Sequence, residues 1–95
     1  MLAPGDLTPD IEELLRDFAK RVQGLTPTEK TVLRLFIEGC DINEVAEQLY
    51  ISIGTARKHN TNLNRKLGVS NREELMVYID LFRRCDRLEE LTRTD

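Results

Sequence analysis

The sequence predicts an all-α protein. Apolar residues recur every three or four positions in each long segment, which is the spacing that lines one face of a helix, and no stretch shows the sustained alternation of a strand. Glycines and residues of the kind that cap helices separate these segments. With 95 residues, the chain is expected to form one domain with an additional element at one end.

The first predicted element is an amphipathic helix that follows a loose segment at residues 1–7. Thr8 and Pro9 have the residue types of an N-cap and a first helical position, and Gly24 ends the helix. Its apolar stripe consists of Ile11, Leu14, Leu15, Phe18, Ala19 and Val22. We expect residues 1–24 to form a separate helix or linker, whose stripe packs on the domain, on a partner chain or on a missing domain.

Two short helices are predicted next, and each opens with a capping box. Thr26 and Glu29 have the required spacing of three residues, and so do Asp41 and Glu44. Gly39 ends the first of these helices.

The next predicted helix carries the positive charge of the chain. It begins after Ser52, an N-cap residue, and ends at Leu67 and Gly68. Its inward face is predicted to consist of Ile53, Ala56, Asn60, Leu63 and Leu67. Residues 55–72 contain five basic and no acidic side chains, although the net charge of the whole chain is −3. Such a segment is either a solvated helix face or a surface that binds phosphate.

The order of these elements favours the second interpretation. A short helix at about 42–49, a tight turn and a longer basic helix at about 53–67 have the order and size of a helix-turn-helix. In that motif the second helix enters the major groove of DNA and the first helix supports it.

The last predicted element is one extended helix. Ser70 and Glu73 have the spacing of a third capping box, and the apolar positions that follow continue to Leu91. This stripe covers the core of its own chain together with the N-terminal helix, or forms a dimer interface, or does both. The interface would consist of Tyr78, Leu81, Cys85 and Leu88.

Together these motifs resemble the LuxR-type (GerE-like) DNA-binding domain over about residues 25–80. The residues that carry the resemblance are Leu25, Thr26, Pro27, Glu29, Val32, Leu33, Leu35, Glu38, Gly39, Glu44, Val45, Ala46, Leu49, Ile51, Ser52, Gly54, Thr55, Arg57, His59, Asn62, Leu63, Arg65, Lys66, Leu67, Gly68, Val69, Asn71, Arg72, Glu74 and Leu75. The resemblance implies a four-helix domain with a central helix-turn-helix, here within residues 25–95. It also implies transcriptional regulation in bacteria and dimers that use the last helix.

Carried over position by position, the DNA-binding face of the family falls on a short set of residues in this chain. That face comprises Arg57, Lys58, His59 and Thr61, and phosphate contacts are implied for Thr55 and Arg65. The residue types agree, because Arg and Lys donate to guanine or phosphate, and Asn62 or Asn60 can pair with adenine if it points outward. Two departures are Ala56, where the family usually has Val, and Asn60, where it usually has an apolar residue.

Several classes of protein are not expected. A single histidine, His59, and two thiols, Cys40 and Cys85, are too few for a zinc site or a catalytic triad, so we expect no enzymatic activity, metal or cofactor. No apolar run approaches the ~20 residues that span a membrane, and the N-terminus lacks the features of a signal peptide. We therefore expect a cytoplasmic protein.

The expected partners are double-stranded DNA and a second copy of the chain. RNA polymerase and a missing regulatory domain are further candidates, since the chain is either a small stand-alone regulator or the DNA-binding end of a longer protein. The alternative is a helix-turn-helix module that binds a transcription partner instead of DNA. The negative net charge and Asn60 favour this alternative.

Overall fold

The computed structural model describes residues 9–92, with side chains from residue 10 onward, and this part of the chain is helical without strands. The helices are α1 (Pro9–Gln23), α2 (Pro27–Ile37), α3 (Ile42–Leu49), α4 (Ile53–Leu67), α5 (Arg72–Arg84) and α6 (Glu89–Thr92). The predicted all-α class is confirmed. The loose segment at 1–7 and the predicted N-cap Thr8 lie outside the described residues.

The predicted capping boxes of α2 and α3 are both present. The Thr26 Oγ1 accepts the backbone N–H of Glu29, and the Glu29 carboxylate accepts the N–H of Thr26. Asp41 and Glu44 form the same pair of bonds at the start of α3. Each box satisfies two of the backbone donors that the first turn of a helix leaves unpaired.

The start of α5 differs from the prediction by one residue. Its N-cap is Asn71, whose Oδ1 accepts the backbone N–H of Glu74 at 2.8 Å. Ser70 instead donates its N–H to the Glu74 carboxylate at 3.3 Å. Asn and Ser are equally good N-caps, so residue type alone does not choose between these neighbours.

Helices α2 to α5 all end in a Schellman motif. In each, a left-handed residue lies one or two positions after the helix, and the backbone N–H that follows it bonds to the carbonyl five residues earlier. The left-handed residues are Gly39, Tyr50, Gly68 and Asp86. The closing bonds are Cys40 N to Leu35 O, Ile51 N to Ala46 O, Val69 N to Asn64 O and Arg87 N to Phe82 O.

The prediction of one extended C-terminal helix is wrong in its continuity. Helix α5 ends at Arg84, Asp86 is left-handed with φ of 57°, and the chain resumes as the short α6. Asp is among the few non-glycine residues that adopt this conformation at low cost, so this helix ends without a glycine. The prediction relied on apolar spacing, which continues across the break, and it therefore joined the two helices into one.

One hydrophobic core joins all six helices. Helix α4 lies at its centre, since it packs against α1, α2 and α3. From α1, the side chains of Leu15, Phe18 and Val22 are fully or almost fully buried in this core. The Phe18 ring stacks on Tyr78 with a centroid distance of 4.5 Å and lies 5.8 Å from Phe82. Of the three expectations for α1, packing on the domain is therefore the one observed.

Within the described part of the chain, no helix has the length and apolar character needed to cross a membrane.

Candidate nucleic-acid interface

Helices α3 and α4, with the turn at residues 50–52 between them, have the arrangement of a helix-turn-helix. Ala46 in α3 and Ala56 in α4 are both buried, and side chains this small let two packed helices approach closely. The Ser52 Oγ accepts the backbone N–H of Thr55 at 3.1 Å and donates to the Thr55 Oγ1 at 2.9 Å. These bonds hold the first turn of α4 in place.

The exposed side of α4 carries three basic residues. Arg57, Lys58 and Arg65 are exposed, and none of them forms a salt bridge with a described residue. Arg65 makes one long hydrogen bond, from Nη2 to the Asn62 Oδ1 at 3.5 Å. The cationic groups therefore remain accessible to a partner outside the chain.

The other two basic residues of segment 55–72 are used inside the molecule. The Lys66 Nζ lies 2.8 Å from the Glu29 Oε1 and ties α4 to α2. The Arg72 guanidinium donates from Nη2 to the Cys40 carbonyl at 2.9 Å and lies over the Phe36 ring at 5.2 Å. Arg57, Lys58 and Arg65 thus have no salt-bridge partner among the described residues, whereas Lys66 ties α4 to α2 and Arg72 ties α5 to the end of α2.

Glu29 is a buried carboxylate that is held ionised. Burial raises its pKa, but the hydrogen bonds from Lys66 and Thr26 together lower the pKa by more than burial raises it. The pKa therefore lies below its ordinary value of 4.5. Its side chain is only 6% exposed. A buried carboxylate needs such partners, because an unpaired one would be strongly destabilising.

The remaining residues of the implied DNA face also lie on the outer part of α4. Thr55 and Thr61 are exposed, whereas His59 and Asn62 are half-buried. All seven predicted DNA-binding residues are thus at least partly accessible: the six implied by the resemblance, Thr55, Arg57, Lys58, His59, Thr61 and Arg65, and Asn62, which was predicted from its residue type. Their contacts with DNA stay a prediction.

Two asparagines face inward on the same helix. Among the described residues, the Oδ1 atoms of Asn60 and Asn64 are buried and have no hydrogen-bond partner. Asn60 therefore lies on the inward stripe, and a buried amide oxygen is not oriented to pair with adenine. Each unpartnered amide costs on the order of 1–3 kcal/mol, which makes this face of α4 less stabilising than an apolar one.

The prediction that Ile53 faces inward is wrong. Ala56, Leu63 and Leu67 are buried as predicted, but the side chain of Ile53 is 42% exposed. Ile53 is the first residue of α4, beside the turn, so its position on the apolar stripe does not place it against the core. The neighbouring Tyr50 in the turn is 96% exposed. The exposure of these two side chains was not predicted from the sequence, because helical spacing gives no indication of it.

The residues of the predicted dimer interface pack largely on their own chain. Tyr78, Leu81, Cys85 and Leu88 are half-buried against the core. The exposed apolar residue of α5 is Val77, whose side chain is 59% exposed. The apolar stripe did not include it, because Val77 lies outside the three-and-four spacing of the buried face.

Among residues 9–92, no cluster of three or more His, Cys, Asp or Glu side chains could hold a metal ion. Cys40 and Cys85 are free thiols. Burial raises the pKa of the Cys40 thiol, and the carboxylates of Glu44, Glu38 and Asp41 raise it further. A thiol of this kind is a poor nucleophile, since reactivity requires the thiolate.

Residues 23–79 match the family model of the bacterial regulatory proteins of the luxR family. The chain is 38% identical over 65 residues to the transcriptional activator protein BglJ of Escherichia coli, an alignment that covers 65% of this chain and 29% of BglJ.

Two further relatives are named as transcriptional regulatory proteins. The transcriptional regulatory protein LiaR of Bacillus subtilis is 41% identical over 56 residues, covering 59% of this chain and 26% of LiaR. The transcriptional regulatory protein UhpA of Salmonella typhimurium is 42% identical over 69 residues, covering 73% of this chain and 34% of UhpA. The chain thus spans about a third or less of these relatives, and no solved structure matches it significantly.

Proposed function

Because the chain belongs to the luxR family of bacterial regulatory proteins, we propose that it is a sequence-specific DNA-binding transcriptional regulator whose helix α4 enters the major groove. One observation carries the proposal: Arg57, Lys58 and Arg65 are exposed on a helix without acidic residues, while Lys66 and Arg72 are bonded to the rest of the domain.

Each part of this surface has a separate role in the proposal. Arg57, Lys58 and Thr61 contact base edges from the middle of α4, because Arg and Lys donate to guanine O6 and N7. Thr55, at the start of the helix, binds a phosphate, where the helix dipole attracts anions. Arg65 and His59 add phosphate contacts, and Asn62 supports Arg65 through the bond described above.

The protein is further proposed to bind DNA as a homodimer through α5 and the segment that follows it. The half-buried residues Tyr78, Leu81, Cys85 and Leu88 lie on the apolar side of this region, and Val77 adds an exposed apolar side chain. Isolated exposed apolar residues are common on monomers. The proposed dimer therefore rests on these apolar residues together with the family resemblance. A symmetric dimer would bind two half-sites about one turn of DNA apart.

The setting of this function is the bacterial cytoplasm, and no enzymatic step or cofactor is part of the proposal. RNA polymerase or a regulatory domain is proposed as an additional partner, because DNA binding alters transcription only through an effect on polymerase. The alternative is a helix-turn-helix module that binds such a transcription partner instead of DNA. The nearly complete exposure of Tyr50 favours this alternative, since aromatic side chains are enriched in protein interfaces.

Selection of bound sequences from random duplex DNA tests the proposal. The purified chain is expected to enrich one motif with dyad symmetry, and its affinity for that motif should fall as salt concentration rises. The double variant Arg57→Ala/Lys58→Ala, which keeps the buried residues of α4, serves as the control and should enrich nothing. If the unchanged chain also enriches no motif, DNA binding is refuted and the protein-interaction alternative is favoured.

A further inference from the structure

The side chain of Ile53 is an apolar group at the edge of an otherwise polar and cationic surface. It is 42% exposed, whereas the buried residues of the same stripe, such as Ala56 and Leu63, have no exposed surface. A single exposed apolar residue is ordinary, so its exposure alone indicates nothing. Its position in the helix-turn-helix is what makes it informative.

Ile53 lies on the side of α4 that would face the bases. It is the first residue of α4, and Arg57 follows one turn later on the same side of the helix. In a helix-turn-helix, the residues near the start of the second helix contact base edges. The cationic residues that follow Ile53 would hold a duplex against this end of the helix.

Gly54 independently supports a close approach of the duplex to the start of α4. A Cβ atom built at this position would meet one neighbouring atom, the Ser52 Oγ at 3.9 Å, which is ordinary contact or open space. The folding of the chain therefore does not require glycine at position 54. A helix that lacks a side chain here can approach another molecule more closely, and glycine is a common choice where the backbone approaches a ligand.

We propose that Ile53 packs against the 5-methyl group of a thymine in the major groove, and that thymine is therefore preferred at one position of each half-site. The inference rests on the proposed DNA-binding function and adds a specificity-determining residue to it. The thymine methyl is the apolar feature of the major-groove edges, and the other edges present hydrogen-bond donors and acceptors that a branched alkyl side chain cannot satisfy.

Replacement of single thymines by deoxyuridine tests the contact, because it removes the methyl group and leaves the base pairing unchanged. The probe is the duplex enriched by the selection described above, with each thymine replaced in turn. For the unchanged chain, one replacement in each half-site should weaken binding about fourfold, the effect of one buried methyl group. The variant Ile53→Ala should bind the original duplex more weakly and should show no further loss with the same deoxyuridine probe.

Two further variants control for folding and for general surface effects. Leu14→Ala changes an apolar side chain of nearly equal exposure, 43%, on α1, and it should retain the full fourfold response. Gly54→Ala should melt at the same temperature as the unchanged chain or higher, yet bind the duplex more weakly. Equal binding by Gly54→Ala would show that the duplex does not approach position 54.

The possible outcomes separate this inference from the function on which it rests. An enriched site without thymine overturns the inference, and so does a site whose thymines all tolerate deoxyuridine. A response that persists in Ile53→Ala does the same, and in all three cases DNA binding stands. If the selection enriches no motif, the proposed function and the inference fail together.

Discussion

Arg57 and Lys66 show how side chains of similar charge acquire different roles. Both belong to the same helix and to the same acid-free stretch of sequence. Lys66 lies beside the buried Glu29, whereas Arg57 has no described carboxylate within salt-bridge distance. A surface ion pair contributes little, but a buried carboxylate makes its cationic partner indispensable. The neighbours of each residue therefore decide which one is available to DNA.

At the residue scale, Arg57→Ala should weaken DNA binding with little change in stability. Loss of one bidentate contact to guanine should lower affinity by about 1–3 kcal/mol, whereas loss of a phosphate contact alone would lower the salt slope by about 1. Fluorescence anisotropy on the enriched duplex at several salt concentrations measures both quantities. Arg16→Ala, which removes an exposed Arg from α1, is the matched control and should leave both unchanged. Equal losses for the two variants would contradict the assignment of the α4 face.

A second prediction at this scale concerns the pH dependence of stability. The pKa of Glu29 is lowered in the folded protein, so its ionised form stabilises the fold above the unfolded-state pKa. That contribution is lost as pH falls through the folded-state pKa. The free energy of unfolding should therefore fall more between pH 6 and pH 3 in the unchanged chain than in Glu29→Gln. Urea unfolding at several pH values measures the difference, and parallel curves would refute the role of Glu29.

At the scale of elements, the ends of helices α2 to α5 share one geometry but differ in how visible they are in the sequence. Gly39 and Gly68 mark two of the ends, and both were predicted from the glycine. Tyr50 and Asp86 adopt the same left-handed conformation without a glycine. The end at Asp86 was missed for this reason, and α5 and α6 were predicted as one helix. The backbone bonds that close the motif do not depend on the side chain.

The end of α4 gives a prediction at the element scale. Gly68→Ala places a side chain at φ of 75°, and its Cβ would collide with the Arg21 Nη1, which donates to the Leu67 carbonyl at 3.1 Å. The free energy of unfolding should fall by about 1–2 kcal/mol from the left-handed conformation alone. Urea unfolding measures this, with Gly54→Ala as the control for an uncrowded glycine. A Gly68→Ala protein as stable as the control would contradict the prediction.

At the scale of the whole molecule, α1 is part of the same hydrophobic core as the helix-turn-helix. The family match begins at residue 23, so most of α1 precedes it. Nevertheless Leu15 and Val22 have no exposed surface, and the Phe18 ring of α1 packs against aromatic rings of α5. Helix α1 also holds the end of α4 through Arg21. The fold of the described chain therefore depends on a helix outside the matched domain.

Phe18→Ala tests this dependence. Truncation of a buried Phe costs about 3–5 kcal/mol, which is a large part of the 5–15 kcal/mol that stabilises a typical domain. We expect the variant to lose most of its cooperative unfolding transition in a circular dichroism melt. Leu14→Ala, on the exposed side of the same helix, should melt like the unchanged chain. If both variants behaved alike, α1 would be a linker and not part of the core.

The oligomeric state gives the last prediction at this scale. Val77→Glu should convert a dimer into a monomer in sedimentation equilibrium and weaken binding to a duplex with two half-sites, while a single half-site is bound as before. The fold should survive, because the Val77 side chain is 59% exposed, whereas a charge at the half-buried Leu88 would also disturb the core. Leu14→Glu is the control for an added surface charge. An unchanged mass for Val77→Glu would refute this interface.

The sequence by itself determined helices α1 to α4, the N-caps of α2 to α5 within one residue, and the cationic character of α4. These features depend on residues within about four positions of one another, since capping and helical periodicity are local interactions. Only the tertiary structure decided which charges remain accessible, that α1 packs on the domain, and that Ile53 is exposed. Lys66 and Glu29 are 37 residues apart, and Arg21 and Leu67 are 46 apart. Contacts over such separations depend on how the helices pack together, and no local pattern encodes that arrangement.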